Sequence, residues 1–344
     1  PDQIRLEAKI IEISTDKAKK LGIEYGNASK IDSSSGIVTM GSTGIFGFGQ
    51  SFSNTRDSSS SKTGNYADVN ASLQALITNG DAKPQYTRED SLKVMRLLAK
   101  GRLQKKGTNM MIYFARQIKC TPYVAKTLEK NETERLVINL RQLDCTTYVE
   151  SVLALTECIK HNKTRFSDYC YYLQQIRYKN GTVYYPARQH YFSVWITENT
   201  KKGFVTEIQG PTPPFTAIQH IKVNYMTTHT QYYPMLLSHK NWISEIDKLE
   251  KEVSGKTIRY IPKNNIANTA AYHKAIHNGD IIAIVTNKQG LDTSHIGIAV
   301  WHKDGLHMLN ASQVRGKVIE EPMLLYNYMQ KHPSQIGIRI IRVR

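Results

Sequence analysis

Three apolar runs near the carboxyl end of the chain constrain its fold more than any other feature. Residues 280–285 and 295–301 are apolar runs of strand length, and residues 306–310 resume the pattern after Lys303-Asp304-Gly305. An Asp-Gly pair between apolar runs is a hairpin signal, and the polar residues 287–292 around Gly290 are typical of a loop. The sequence therefore predicts a three-stranded meander in which residues 295–301 form the central strand.

The rest of the chain predicts an α+β fold, with helices in the first half and strands in the second. Thr87 is the expected N-cap of a helix that runs to Leu98, with Asp90 completing a capping box. Further helices are predicted at residues 107–117, 164–178 and 241–252, and strands at 257–261 and 337–343, the last a sheet edge with three arginines. A chain of 344 residues with this pattern suggests one large domain, residues 85–344, after a small N-terminal part, residues 1–84.

A further helix is predicted to begin directly after Asp144, a residue type that favours the N-cap position. The residues that follow at helical spacing on the inward face are Cys145, Val149, Val152, Thr156 and Ile159. Unpaired backbone N–H groups and the helix dipole at this end lower a thiol pKa from about 8.5 toward neutrality. Cys145 is therefore either a nucleophile in thiolate form or a small buried apolar side chain, which is the usual role of a free cysteine.

His295, at the start of the predicted central strand, is the candidate base for Cys145. A catalytic imidazole also needs a polar partner that fixes its orientation, and the adjoining strand offers two. Asn310 is the first choice, and His307, on the opposite face of that strand, is the alternative. His307 and His302 have another interpretation, as solvent-exposed residues of the hairpin.

Residues from about 86 to 344 resemble the N-acetylmuramoyl-L-alanine amidase-like family, within the NlpC-type superfamily of papain-like cell-wall hydrolases. The superfamily motifs found in order are Thr121-Pro122-Tyr123, Asp144-Cys145, His295-Ile296-Gly297 and a polar third residue, Asn310. The marks of the family itself are residues 143–150, Arg188-Gln189-His190-Tyr191 with Trp195, and Gly290-Leu291-Asp292. One departure is Cys120, which stands where the superfamily usually has glycine.

The resemblance implies a papain-like, NlpC-type core, with a helix bundle packed on an antiparallel sheet, and hydrolysis of the amide between N-acetylmuramic acid and L-alanine. Cys145 would form a thioester acyl-enzyme, His295 would serve as base and then acid, and Asn310 would fix the imidazole tautomer. The backbone N–H of Cys145 would stabilise the oxyanion. No metal or other cofactor is expected. Tyr123 either places its hydroxyl near the nucleophile or has only a packing role in the core.

The charge of the chain agrees with an anionic substrate such as peptidoglycan fragments, whose stem peptides carry free carboxylates. The net charge is +17; residues 1–84 hold nine basic and nine acidic side chains, so the excess lies in the remainder. Arg188 is the candidate for a bidentate contact with a substrate carboxylate, with Tyr191 and Trp195 as aromatic walls of the binding site. The alternative interpretation is that Arg188 and His190 are ordinary polar residues of a loop. The expected substrate-binding residues are Tyr123, Asp144, Arg188, His190, Tyr191, Trp195 and Asp292.

Residues 1–84 have a different character from the rest. Residues 4–13 alternate apolar and polar near their start as a half-buried strand does, residues 33–62 predict a Ser/Gly-rich hairpin, and residues 65–79 a short helix. Segments 6–13, 20–23, 73–76 and 79–83 are similar to the opening of a secretin domain, a ring-forming outer-membrane pore. The resemblance stops at Lys83, so we expect a small αβ segment, natural or artificially joined, and no channel. Contact with secretion or pilus machinery is a hypothesis for this segment.

Three functions stay open at this stage. The first is the cysteine amidase, the second is a related cysteine peptidase or acyltransferase acting on cell-wall peptides, and the third is a secretin-type envelope assembly protein whose C-terminal domain only binds. Nucleic-acid binding is less favoured, because the lysines are scattered and the known motifs are missing. Four cysteines make no disulfide framework, and no stretch is apolar enough to span a bilayer. The resemblance places the protein in the periplasm or envelope of a Gram-negative bacterium, after removal of an export signal that this sequence lacks.

Overall fold

The computed structural model describes residues 84–344, which contain ten α-helices and eight β-strands. The helices are α1 (Arg88–Arg102), α2 (Met110–Gln117), α3 (Cys145–Lys160), α4 (Phe166–Arg177), α5 (Phe192–Lys201), α6 (Tyr225–Thr228), α7 (Pro234–Ser238), α8 (Trp242–Val253), α9 (Ala270–Ala275) and α10 (Leu325–Gln330). The strands are β1 (Val205–Ile208), β2 (Ala217–His220), β3 (Thr257–Pro262), β4 (Ile281–Thr286), β5 (Thr293–Trp301), β6 (Leu306–Ser312), β7 (Lys317–Glu320) and β8 (Gln335–Val343). This combination is the predicted α+β class.

The predicted meander β4-β5-β6 lies inside one antiparallel sheet of order β2-β3-β8-β4-β5-β6-β7, with β1 also pairing with β8. Ile284 of β4 is opposite His295 of β5, and Ile298 of β5 is opposite Leu309 of β6. All six residues of β4 and all seven of β6 are buried, which explains why these strands read as apolar runs. The turn between β5 and β6 closes through the N–H of His302 and the carbonyl of Gly305, as the Asp-Gly pair predicted.

Strand β8 is an interior strand, and its prediction as a sheet edge was wrong. It pairs with β4 along one side and with β1 and β3 along the other. Two of the three arginines that suggested an edge are neutralised: Arg339 donates to Glu207 at 2.6 Å, and Arg342 donates to Asp280 at 2.8 Å. Charged residues can therefore stand in a central strand here because each guanidinium has its own carboxylate.

The helix starts follow their caps. Thr87 and Asp90 form the predicted capping box of α1, which continues to Arg102, four residues beyond the predicted end. Helix α2 begins at Met110, not at residue 107, because Asn109 accepts a hydrogen bond from the backbone of Ile112 and is the true N-cap.

Helix α3 is the element that fixes the position of Cys145. It packs against α1 and α2 and, through other residues, against β5 and β6. A buried ion pair anchors its second turn: Nε of Arg177 donates to Glu150 at 2.7 Å, and the same guanidinium donates to the carbonyl of Val137. The second turn of α3 is therefore tied to the end of α4 and to the segment around Val137.

The predicted N-terminal segment, residues 1–84, lies outside the described residues except for Pro84, so its secretin-like pattern stays a prediction. Residues 84–164 and 168–344 form one compact unit. Over residues 84–344, no helix has the length and apolar character needed to cross a membrane.

Candidate active site

Cys145 is the first residue of α3, as predicted, and its side chain is partly exposed. Asp144 is the N-cap: its carboxylate accepts the backbone N–H of Thr147 at 2.8 Å, and the Thr147 hydroxyl accepts the N–H of Asp144 in return. This capping box satisfies two of the N–H groups at the helix end. The thiol therefore stands at a rigid helix start, with the hydroxyl of Thr146 4.0 Å from its sulfur.

The structure brings the Cys145 thiol to the residue that follows His295. A hydrogen bond from the backbone of Ile296 acts on the thiol and lowers its pKa, so the sulfur lies beside the start of β5. Sterics explain the glycine at position 297, the last residue of the His-x-Gly motif. A Cβ there would come within 2.5 Å of the Met308 side chain. A glycine is needed because β6 approaches β5 closely at this point.

His295 is half-buried, and its Nε2 lies 3.0 Å from Oδ1 of Asn310. The amide oxygen can only accept, so Nε2 carries the proton and Nδ1 keeps its lone pair. Burial lowers the pKa of His295, the Asn310 hydrogen bond raises it, and nearby His332 lowers it again, with a net shift below 6.5. The imidazole is therefore neutral near pH 7 and carries a free basic nitrogen.

His307, the alternative partner for His295, is engaged elsewhere. Its Nδ1 donates to the carbonyl of Glu321 at 3.0 Å, and its Nε2 lies 3.1 Å from the Asp304 carboxylate. It is 5% exposed, so its interpretation as a solvent-exposed hairpin residue was also wrong. The structure pairs His295 with Asn310, and His307 stabilises the hairpin.

The pKa of the Cys145 thiol differs from the expected direction. Burial and the carboxylate of Asp144 raise it to about 12, and the hydrogen bonds from Ile296 and Thr146 lower it less. The helix N-terminus was expected to produce a thiolate, but its positive end is already matched by the Asp144 carboxylate. The Cys145 thiol is therefore neutral near pH 7, as the His295 imidazole is.

Two tyrosines lie within electrostatic range of the thiol. Burial raises the pKa of Tyr123 to about 12, and Cys145 and Asp144 add to the shift, while the role of Tyr123 at the nucleophile stays a prediction. Burial also raises the pKa of Tyr328, with Cys145 among the contributing charges. Sequence analysis missed Tyr328 and His332, because no motif marks either residue and only the packing of α10 on β6 and β8 brings this part of the chain near Cys145 and His295.

Among residues 84–344, no group of three or more His, Cys, Asp or Glu side chains is placed to hold a metal ion.

Comparison with known proteins decides the family. A family model described as N-acetylmuramoyl-L-alanine amidase-like (AmiA-like) matches residues 113–338, which include Cys145, His295 and Asn310. The chain belongs to the N-acetylmuramoyl-L-alanine amidase-like family. No protein with a curated description matched the sequence.

Solved structures agree with this family. An N-acetylmuramoyl-L-alanine amidase from Bacteroides uniformis is 33% identical, with a TM-score of 0.64, over 71% of this chain and 99% of that one. A Bacteroides fragilis protein with a provisional xylanase name is 36% identical, with a TM-score of 0.62, over 67% and 98%. A Legionella pneumophila protein of family DUF1460 shares the fold at 22% identity, with a TM-score of 0.59, over 74% and 94%.

In this amidase-like chain, the predicted substrate ligand Arg188 is buried and already paired. Its guanidinium contacts Glu129 and, at 3.4 Å, Glu134, and it lies 4.8 Å from the centre of the Tyr185 ring. Burial lowers the pKa of Arg188, but the two glutamates outweigh burial and raise it overall. With its donors committed to protein carboxylates, Arg188 has a structural role in place of the expected contact with a substrate carboxylate.

His190, Tyr191 and Trp195 are also structural in this family member. His190 bonds through Nε2 to the carbonyl of Tyr185 at 2.8 Å, and burial together with the Arg188 charge lowers its pKa well below 6.5. Tyr191 is 3% exposed and donates to Glu250 at 2.6 Å, and Trp195 is 1% exposed and stacks on Phe192. The prediction of aromatic walls is corrected, because the core of the domain encloses both rings.

Asp144 and Asp292, predicted to bind substrate, are helix caps. Asp292 is 2% exposed; its carboxylate accepts the N–H of Ser193 in the first turn of α5 at 2.6 Å and the N–H of Thr293 at 2.8 Å. Gly290 just before it has φ of +78° and passes so close to Asn224 that a Cβ would meet the side chain at 2.6 Å. The segment Gly290-Leu291-Asp292 therefore connects the start of β5, which carries His295, to the first turn of α5.

Cys120, directly before the Thr-Pro-Tyr motif, adopts a backbone conformation that is usual for glycine. Cys120 has φ of +66°, in the left-handed region that favours glycine, while its N–H donates to the carbonyl of Val318 at 2.9 Å. Tyr123 then donates its N–H to Gly316 at 2.8 Å and lies beside Leu143, two residues before Cys145. The tight loop is retained with cysteine in the glycine position, at the cost of a strained backbone.

Proposed function

We propose that this chain hydrolyses the amide between N-acetylmuramic acid and L-alanine in peptidoglycan fragments, with Cys145 as nucleophile. The observation that supports this most directly is the arrangement at the start of β5: the Cys145 thiol beside the Ile296 backbone, with His295 adjacent and bonded to Asn310. The amidase name of the Bacteroides uniformis relative supplies the substrate class. A papain-like, NlpC-type relationship is part of the same proposal.

In the proposed reaction, the neutral thiol transfers its proton to Nδ1 of His295 as the sulfur attacks the amide carbonyl carbon. The negative charge on the carbonyl oxygen is stabilised by backbone N–H groups at the start of α3. The C–N bond then breaks, and the imidazolium gives its proton to the leaving amine of L-alanine. Water, deprotonated by His295, cleaves the thioester and releases the lactyl carboxylate and the free thiol.

Because the Cys145 thiol is neutral at rest, the proposed reaction depends on the hydrogen bond between His295 and Asn310. A thiol with a pKa of about 12 forms little thiolate near neutral pH, so the proton must move to His295 during the attack. That transfer requires Nδ1 to be unprotonated and aimed at the sulfur, which the hydrogen bond from Nε2 to Asn310 favours.

The xylanase name of the Bacteroides fragilis relative suggests a different reaction, which the site favours less. Most glycoside hydrolases need two carboxyl groups on either side of the scissile bond. The carboxylate whose charge acts on both Cys145 and His295 is that of Asp144, and it is occupied in capping α3.

The test is digestion of purified muropeptides by the full chain and by Cys145→Ala, with products resolved by mass spectrometry. We expect free stem peptides with an intact N-terminal L-alanine from the parent and none from the variant. Cys120→Ser, which changes an exposed free cysteine outside the site, is the matched control and should retain activity.

Other outcomes separate the remaining functions. Cleavage on the other side of L-alanine would replace the amidase by a peptidase, and transfer to an added amine would indicate an acyltransferase. Equal activity of the parent and Cys145→Ala would refute the cysteine mechanism. Residence in the periplasm or cell envelope is part of the proposal, and fractionation of cells that express the native gene tests it.

A further inference from the structure

An open groove lies away from Cys145, between α2 and the far end of β5. It has a volume of about 430 Å³, within the ~300–1,000 Å³ of small-ligand sites. Its lining includes Asn109, Ile112, Tyr113, Gln117, Asn278 and Trp301. Trp301 ends β5, six residues after His295, so at ~3.3 Å per residue the groove is roughly 20 Å from the imidazole. The groove is therefore separate from the candidate active site.

The aromatic side chains of the groove are held in place before any ligand arrives. The Trp301 indole N–H donates to the carbonyl of Ile276 at 2.8 Å, and the ring packs against His273 with centroids 3.9 Å apart. Tyr113 is half-buried and contacts Phe114 edge to face at 5.3 Å. Rigid aromatic rings bind apolar ligand faces with a small loss of conformational entropy.

The polar side chains of the groove are amides. Nδ2 of Asn109 donates to the Asn278 carbonyl at 2.6 Å, and Oδ1 of Asn278 accepts the N–H of Trp301 at 2.6 Å, so both are fixed in orientation. Gln117 is exposed, and its amide can both donate and accept. Preorganised amides beside aromatic rings match a ligand that has hydroxyl or acetamido edges and apolar faces.

The charge of the groove argues for a neutral ligand. Arg116 is the cation of the lining, and Glu320 neutralises it through two hydrogen bonds, at 3.1 and 2.8 Å. The residues that line the groove include no carboxylate. A nucleic acid or an anionic lipid would need several unpaired cations at the contact surface, which this groove does not offer.

We infer that this groove binds a neutral glycan chain, with the rings of Trp301 and Tyr113 against the sugar faces and the amides on the hydroxyl and acetamido groups. This inference does not depend on the reaction at Cys145. It assigns the chain a second site, which would hold a polysaccharide independently of the amide bond that is cut.

The probe is the hexamer of β-1,4-linked N-acetylglucosamine, which carries no lactyl-alanine amide, titrated into the full chain by calorimetry and by NMR of the indole N–H groups. We expect saturable binding with a shift of one indole signal, which Trp301→Phe removes from the spectrum. The double variant Tyr113→Ala, Gln117→Ala should weaken binding at least tenfold. Tyr171→Ala, which changes a tyrosine that is 57% exposed on α4, is the matched control and should bind as the parent does.

Two results would overturn the inference. One is no saturable binding of the hexamer up to ~10 mM, the weak end of measurable affinity. The other is binding that survives the double variant and is lost in His295→Ala, which would place the sugar at the candidate active site. Circular dichroism of each variant shows whether a loss of binding comes from misfolding.

Discussion

Oδ1 of Asn310 accepts a hydrogen bond from Nε2 of His295 over 3.0 Å, between neighbouring strands of the sheet. Asn310 is wholly buried, and β6, on which it stands, is buried along its whole length. The partner of the imidazole is thus fixed by the sheet itself and not by a mobile loop. Its orientation leaves Nδ1 unprotonated, as the proposed role of His295 as base requires.

Replacing Asn310 by alanine should lower kcat by about 10- to 100-fold, part of the ~10²–10⁴ that acid–base catalysis contributes. The reason is that the imidazole loses the acceptor that selects its tautomer. The control is His307→Gln, at the residue that the hairpin engages elsewhere, which should retain most of the kcat. An unchanged kcat in a folded Asn310→Ala protein would remove Asn310 from the mechanism.

The pH dependence of kcat/KM should rise along an acid limb centred below pH 6.5. Burial lowers the pKa of His295, and the base must be unprotonated, so activity persists to lower pH than for an ordinary histidine. His332 contributes to that lowering, so His332→Gln should move the limb to higher pH. A parent limb centred above 6.5, or a shift of the variant to lower pH, would contradict the assignment.

Replacing Asp144 by asparagine should lower the pKa of Cys145. Asparagine still caps the helix, while the negative charge that raises the thiol pKa is removed. The measurement is the rate of alkylation by iodoacetamide against pH, in a Cys120→Ser background that removes the exposed thiol. Asp144→Ala separates the two roles, because it also removes the cap and should cost about 1 kcal/mol of stability. Identical alkylation profiles with and without the Asp144→Asn substitution would disprove the charge effect.

Replacing Arg188 by methionine should lower the free energy of unfolding by about 3–5 kcal/mol, because it removes the only guanidinium shown paired with the Glu129 and Glu134 carboxylates in the described residues. Arg188 is 6% exposed and pairs with Glu129 and Glu134. Urea unfolding measures the loss, and Arg96→Met, at an exposed arginine on α1, is the control. If stability is retained and KM rises instead, Arg188 contacts substrate and the structural assignment is wrong.

Replacing Cys120 by glycine should stabilise the protein by up to about 1 kcal/mol. Its φ of +66° costs a residue with a side chain ~1–2 kcal/mol, of which part is offset by the greater freedom of glycine in the unfolded chain. Cys120→Val, with a branched Cβ, should destabilise by a larger amount than Cys120→Gly stabilises. Thermal unfolding of the two variants tests the order, and a glycine variant less stable than the valine variant would exclude the explanation.

The local features of the sequence were sufficient for much of the fold. The start of α3 at Cys145 followed from Asp144, and the meander followed from three apolar runs and an Asp-Gly turn. The pairing of His295 with Asn310 was also the first choice, because alternation along β6 separates Asn310 from His307. Each of these depends on residues close together in the chain.

The failures share a different physical origin. Arg188 looked available and Trp195 looked like a binding wall, because a sequence does not show which carboxylates or apolar side chains will surround them. Strand β8 was predicted as an edge because its arginines suggested exposure to solvent. The carboxylate partners of two of them, Glu207 and Asp280, lie more than 60 positions away in the chain and could not be identified from the sequence.

The sequence by itself determined where α1, α3 and the meander begin, which residues carry the candidate chemistry, and which family the chain resembles. Only the tertiary structure decided that the Cys145 thiol stays protonated, that Tyr328 and His332 adjoin the site, and that a groove forms beside Trp301. Caps, turns and alternation act over a few residues and can be read locally. Burial and charge neutralisation depend on distant partners, and folding alone brings those partners together.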